Sequence, residues 1–199
     1  VSDVEAALRR YYDVELEQRA SRPLGEGRER HLQEFVERCR REGRTRVLEV
    51  GCGAGRDGRP MADAGLAYAG MDLSSTGVAI CRRLGLDAVQ ASATGLPFAD
   101  DSFDAGWSMS TLMHLPGDGM ERALAELRRV VVRGGLLEIG VWGKDVDGDR
   151  VDPGGRYFRH RTDDELRRLL AATGEVLAFE TWDHLDDGAH YQWARVRVG

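Results

Sequence analysis

The sequence predicts an α/β domain built on a mostly parallel sheet, and three observations carry that expectation. Apolar residues switch repeatedly between helical and alternating spacing along the 199 residues, the pattern of successive βα units. A glycine-rich loop, Gly51-Cys52-Gly53-Ala54-Gly55, directly follows one predicted strand and directly precedes a helix. Near the other end, two extended segments joined through Asp186-Asp187-Gly188 read as a hairpin, which makes the last strand antiparallel to its neighbour.

Each element has its own signal. Residues Asp3 to Arg19 read as a helix, with Val4, Ala7, Leu8 and Tyr11 on one face. A turn at Ser21-Arg22-Pro23-Leu24-Gly25 leads into a second helix through His31, Leu32, Phe35, Val36 and Cys39. The first strand is Arg46 to Val50, and the glycine loop opens a helix expected over Arg56 to Ala64. Strand two runs from Ala67 to Met71 and ends at Asp72. Ser74 caps the next helix, whose inward face is expected to hold Val78, Cys81 and Leu84 before Gly85 stops it.

A short third strand covers Ala88 to Gln90, and the fourth covers Phe103 to Met109. Asp118-Gly119-Met120-Glu121 fits a capping box, followed by Met120, Leu124, Leu127 and Val131 at helical spacing. Gly134-Gly135 turns into a fifth strand, Leu136 to Val141. Thr162-Asp163-Asp164-Glu165 is a second capping box, opening a helix with Leu166, Leu169 and Leu170 that Gly174 closes. The final strands lie near Glu175 to Trp182 and His190 to Val198.

Composition narrows the classes. The chain is 42% hydrophobic and 31% charged, an ordinary globular balance. No run of eighteen apolar residues and no opening basic-then-apolar segment occurs, so the expected compartment is the cytoplasm, without a membrane partner. Cys39, Cys52 and Cys81 form no C-x-x-C pair, which argues against a disulfide framework or structural zinc. The net charge of −6 disfavours a broad nucleic-acid surface. Asp145, Asp147 and Asp149 alternate, but the sixth-position glycine and terminal glutamate of a calcium loop are missing. No metal site is expected.

The glycine loop is the chief chemical signal. Glycines let the backbone turn sharply and approach a ligand, and the following helix presents free N–H groups to an anion. The same loop also serves purely structural strand-to-helix turns. It reads G-x-G-x-G, with Arg56 where a dinucleotide fingerprint needs its third glycine, and no Gly-Lys-Ser/Thr of a Walker loop follows. Asp72, ending strand two, reads either as the acceptor of two ribose hydroxyls or as a helix-capping acid. Glu49, the loop, Asp72, Ser92 and Ser108 all map to the carboxyl edge of the strands.

These segments resemble the class I S-adenosylmethionine (SAM)-dependent methyltransferases. Val47-Leu48-Glu49-Val50-Gly51-Cys52-Gly53-Ala54-Gly55 and Met71-Asp72-Leu73-Ser74 are similar to the family's first two motifs. Leu96-Pro97-Phe98 with Asp101-Ser102-Phe103-Asp104, Leu112-Met113-His114-Leu115 and Glu126 to Val130 resemble its UbiE-like, or methyltransferase 11, branch. The resemblance covers Arg46 to Val141. It implies a Rossmann-like fold: a seven-stranded, mostly parallel sheet with an antiparallel C-terminal strand and helices on both faces. It also implies SAM as cofactor and S-adenosylhomocysteine (SAH) as product.

By position, Glu49 and the backbone of Gly51, Cys52, Gly53 and Gly55 then hold the methionine part. Asp72 holds the ribose, Leu73 packs on adenine, and the Ser108 carbonyl takes the ammonium. Ser92-Ala93 stands where many relatives carry an acid for the adenine amino group, so adenine recognition falls to backbone N–H groups, a hydroxyl or water. Val132-Arg133 replaces the usual Lys-Pro before Gly134-Gly135.

One domain is expected over 1–199. A helical lid spans 1–45, a cofactor core 46–141, an acceptor-side loop 142–161, and a helix and hairpin 162–199. His114 reads as a base or substrate-fixing group, or as a packing residue of its loop. Tyr11 and Tyr12 on the first helix, with Arg156, Tyr157 and His160 in the loop, are the expected substrate residues. Tyr191 and Trp193 alternate onto one face, more in the manner of core than pocket. The function expected is methyl transfer from SAM to an O or N atom of a small molecule. Two rivals stand beside it: a tRNA wobble-uridine-type methyltransferase, which Trp142 and His114-Leu115 resemble, and a non-catalytic SAM- or nucleoside-binding domain.

Overall fold

A computed structural model describes residues 3–199. In chain order it contains α1 (Asp3–Arg19), α2 (Glu26–Arg41), β1 (Arg46–Val50), α3 (Gly58–Asp63), β2 (Ala67–Asp72), α4 (Ser75–Arg83) and β3 (Ala88–Gln90). These are followed by β4 (Phe103–Met109), α5 (Gly119–Val130), β5 (Val131–Lys144), β6 (Gly148–Val151), β7 (Tyr157–His160), α6 (Asp163–Ala171), β8 (Gly174–Trp182) and β9 (Ala189–Val198). Seven strands form one sheet in the order β3-β2-β1-β4-β5-β9-β8, and β6 pairs with β7 in a separate ribbon. Within the seven-stranded sheet β9 runs opposite to the other six strands. This is the Rossmann-like arrangement. Its strand order reverses between β1 and β4, where a crevice opens at the carboxyl ends.

The core strands read as they do because both faces are covered. Val47, Leu48 and Val50 of β1 are buried, as are Ala105, Trp107 and Met109 of β4, the near-continuous apolar run of a central parallel strand. One apolar cluster gathers α5 and α6 against the sheet, with Leu124, Leu127, Leu166 and Leu170. The other gathers Phe35 of α2 and Cys81 of α4 against Trp107 and Trp193.

Local signals hold in part. Ser74 caps α4, its hydroxyl accepting from Gly77 N at 3.1 Å, and Thr162 caps α6 by accepting from Glu165 N at 3.3 Å. Asp118 does not cap α5. Its backbone (φ −86°, ψ 11°) lacks the extended conformation a cap needs, and no side-chain cap bond forms. The carboxylate pairs with Arg122 instead, at 3.2 Å. Leu84 is 43% exposed rather than buried, because α4 ends at Arg83 and Ile80 takes the inward place. Val131 begins β5 rather than continuing α5, and the register between β4 and β5 slips between Phe103 and Ala105 around Gly134.

The larger correction concerns 142–161. It is not an irregular loop. Strand β5 continues through Trp142 to Lys144 against β9, and β6 and β7 then form an antiparallel ribbon beside the crevice. Among the described residues no helix is long and apolar enough to cross a membrane.

Candidate functional site

The crevice divides into two chambers that share walls. The inner cleft is lined by the glycine loop, Asp72, Leu73, Ser92, Ala93, Met109, Ser110 and Thr111, and is roofed by Glu5, Leu8, Tyr12 and Leu16 of α1. The outer chamber lies under the β6–β7 ribbon, with Trp142, Arg150, Asp152, Arg156, Phe158, His160 and Leu185. Tyr12, Arg19, Arg28, Arg56, Ser110 and His114 line both chambers. That shared set marks the end of the cleft that opens outward. Glu5, Asp72, Leu73 and Ser92 belong to the inner cleft alone.

The glycine loop shapes the floor. Gly51 has φ +85° and Gly53 φ +50°, the left-handed region that glycine enters freely. A Cβ on Gly51 would collide with the Thr111 side chain. Asp72 then fastens the loop: its Oδ2 accepts from Gly53 N and its Oδ1 from Ser74 N, both at 2.8 Å. Burial pushes the Asp72 carboxyl up, against these backbone bonds.

Three residues expected at the cleft, Glu49, Gly55 and Ser108, are not among the residues that line it. Glu49 is buried and accepts the Tyr68 hydroxyl at 2.5 Å, and it is absent from the lining. Burial, with Asp57 nearby, raises its carboxyl well above the ordinary range. Ser108 is buried and its hydroxyl donates to the Val50 carbonyl at 2.9 Å. Gly55 serves packing, since a Cβ there would meet Leu86 at 2.8 Å and Cys81 at 3.2 Å. Gly51, Cys52, Gly53, Asp72, Leu73, Ser92 and Ala93 do line the cleft.

Sequence reasoning missed Arg28. Its guanidinium grips buried Asp57 through both carboxylate oxygens, with Nη2 to Oδ2 at 2.6 Å, and Trp107 Nε1–H donates to the same oxygen at 2.6 Å. Burial opposes the Arg28 charge, but the Asp57 carboxylate more than offsets it and holds the pKa above its usual value. Arg56 donates to the Arg22 carbonyl, and burial and neighbouring Arg28 depress its pKa. The missed signal was acidic: Asp57, directly after the loop, is a buried carboxylate that demands a cation.

His114 follows β4 in a 3-10 turn, Leu112–His114, and is 5% exposed. Its Nδ1 lies 2.7 Å from the Tyr157 carbonyl, which can only accept, so Nδ1 carries the hydrogen. Burial pulls the imidazole down to about 4, and neutral Nε2 therefore accepts the Tyr12 hydroxyl at 2.8 Å. One ring thus joins α1, the turn after β4 and the ribbon.

The other expected substrate residues divide. Tyr12, Arg156 and His160 line the outer chamber, whereas Tyr11 and Tyr157 do not. Arg156 lies over the Tyr11 and Phe158 rings at 4.9 and 5.0 Å and pairs with Asp152 at 2.6 Å. Tyr11 is therefore the support beneath Arg156, and Tyr157 contributes its carbonyl to His114.

Comparison with known proteins bears on the family and the fold. The family profile described as a methyltransferase domain matches residues 48–139. The chain is 32% identical over 128 residues to the methyltransferase GfsG of Streptomyces halstedii, covering 59% of this chain and 45% of that protein. It is 41% identical over 96 residues to the demethylmenaquinone methyltransferase of Renibacterium salmoninarum, covering 47% of this chain and 40% of that protein. It thus spans less than half the length of these relatives. In fold it is similar to the Burkholderia thailandensis 1,6-didemethyltoxoflavin-N1-methyltransferase, solved with 1,6-didemethyltoxoflavin and SAH. The TM-score is 0.79 at 22% identity, covering 100% of this chain and 91% of that one.

Proposed function

We propose that the chain, whose residues 48–139 match a methyltransferase-domain profile, is a class I SAM-dependent methyltransferase that methylates an O or N atom of a small molecule with SAM as donor. The observation that carries this reading is the order of groups along the inner cleft. Half-buried Arg28 is among the residues shared with the outer chamber, whereas Asp72 and the apolar Leu73, Ala91 and Ala93 line the inner cleft alone. That order suits a carboxylate, a ribose diol and an adenine in turn. Gly51, Cys52 and Gly53 cradle the methionine part.

Bound SAM supplies a methyl group on a positively charged sulfonium, which leaves the protein mainly to align the acceptor and exclude water. Alignment falls to the outer chamber. Trp142 and Phe158 give flat apolar walls, while Arg19, Arg150 and Arg156 outweigh Asp152 and Asp187 in charge, which suits a planar, anionic acceptor.

Tyr12 stands where the chambers meet and turns its hydroxyl to His114. An imidazole at about 4 is a weak base at neutral pH. His114 therefore acts as a positioning residue that fixes Tyr12, and the acceptor O–H or N–H meets the Tyr12 oxygen.

The test is SAH formation, followed by mass spectrometry, with purified protein, SAM and a panel of planar carboxylates, phenols and heterocyclic amines. Methylation of one acceptor class, dependent on Tyr12, supports the reading. SAH binding without turnover of any acceptor favours the non-catalytic domain, and methylation of tRNA alone favours the nucleic-acid reading.

A further inference from the structure

The far end of the inner cleft carries two polar side chains, Ser92 and Glu5, beside Leu73, Ala91 and Ala93. Ser92 Oγ accepts from Thr94 N at 3.3 Å and lies 2.9 Å from Thr94 Oγ1. It gives its hydrogen to Glu5 Oε1 at 2.5 Å. A hydroxyl has one hydrogen, so Ser92 is spent on holding Glu5. The Glu5 carboxylate, on a helix outside the sheet, is thereby oriented by a residue 87 positions away in the chain. Leu8 and Tyr12 follow Glu5 at i+3 and i+7 and also line the cleft, so one stripe of α1 faces the site from its far end to the junction.

We infer that Glu5 reads the adenine of SAM, accepting a hydrogen from its exocyclic amino group; this rests on the SAM reading above. The chemistry at this end selects the group. Adenine offers a donor at its amino nitrogen between two flat apolar faces. Leu73, Ala91 and Ala93 suit the faces, and an ionised carboxylate is acceptor-only. Ser92 has no hydrogen-bonding capacity that distinguishes an amino group from a carbonyl, whereas Glu5 does. The adenine reader is then carried by the helix that also carries Tyr12. Seating the cofactor and setting the hydroxyl at the acceptor junction become properties of one element.

The experiment is isothermal titration calorimetry of the full chain with SAH and with S-inosylhomocysteine, in which a ring carbonyl replaces the amino group. The native chain should prefer SAH at least tenfold, the scale of one charge-assisted hydrogen bond. Glu5→Ala and Glu5→Gln should each lower that preference at least fivefold, the glutamine amide serving the carbonyl as well as the amine. Because the preference is a ratio measured within each variant, any general loosening of α1 cancels. A ratio within twofold of the native value in both variants overturns the role of Glu5. A native chain that binds neither compound overturns the SAM reading itself, and the assignment with it.

Discussion

At the scale of single residues, Asp72 and Ser92 of the inner cleft differ in kind. Asp72 is ionisable, holds the loop through Gly53 N and Ser74 N, and lines the inner cleft, where the proposed function puts the ribose. Ser92 is a neutral hydroxyl that orients Glu5. Charge-assisted hydrogen bonds contribute about 1.5–3 kcal/mol each and neutral ones roughly 1 kcal/mol. Asp72→Ala should therefore weaken SAH binding by more than tenfold, and Ser92→Ala by less than about tenfold, when both are titrated by calorimetry. Equal losses would mean that the ribose lies elsewhere. His114 makes a second prediction, about pH. Folded His114 stays neutral down to about 4, while its ordinary value is 6.5. Between these values the unfolded chain binds the extra proton, so stability falls as pH falls through this window. At 1.36 kcal/mol per pKa unit the loss approaches about 3 kcal/mol near pH 4. Urea unfolding of His114→Asn at pH 7 and pH 4.5 should show a shallower decline than the native chain. A parallel decline would remove His114 as its source.

At the scale of elements, the parallel core was legible because buried strands and amphipathic helices leave an apolar period, and the glycine loop marks its own turn. The ribbon was not legible. Strand β6 is exposed throughout, so Gly148-Asp149-Arg150-Val151 carries no apolar alternation, and the neighbouring aspartates read as a solvated loop. The wall residues supplied from a distance were equally silent: Arg28 is set by Asp57 and Glu5 by Ser92, contacts with no local spacing. Helix α1 is fixed at its middle by Asp13, which accepts from Ser74 Oγ at 2.5 Å and from Thr76 N at 3.2 Å. Burial works against ionisation of Asp13, but these bonds hold its carboxyl below the ordinary range. The ribbon touches only the outer chamber, which separates its role from that of α1. Arg156→Ala should cut turnover with an identified acceptor at least tenfold and leave SAH affinity within about twofold. Tyr157→Ala should do less, because it is the Tyr157 carbonyl that holds His114. Loss of SAH binding in Arg156→Ala would merge the two chambers into one site.

At the scale of the whole molecule, the cleft lies where β1 and β4 part and is closed by an element packed from outside the sheet. A ligand bound there touches the glycine loop, the ends of β2 and β4, and α1 together, so it binds the folded chain and not the unfolded one. Such a ligand at a hundred times its dissociation constant stabilises by about 2.7 kcal/mol. For a chain of this size each kcal/mol raises the melting temperature by roughly 2–4 °C. SAH at that excess should therefore raise Tm by about 5–10 °C, a range that follows from those two relations. NAD and ATP at the same concentration should move it by less than about 1 °C on the same relation. The reason lies in the loop: Arg56 occupies the third-glycine position of a dinucleotide turn, and no Walker lysine follows. Differential scanning fluorimetry with the three ligands decides the matter. A shift with NAD or ATP equal to that with SAH would show that the cleft reads only the nucleoside they share, and the methionine end assigned to Arg28 would fall.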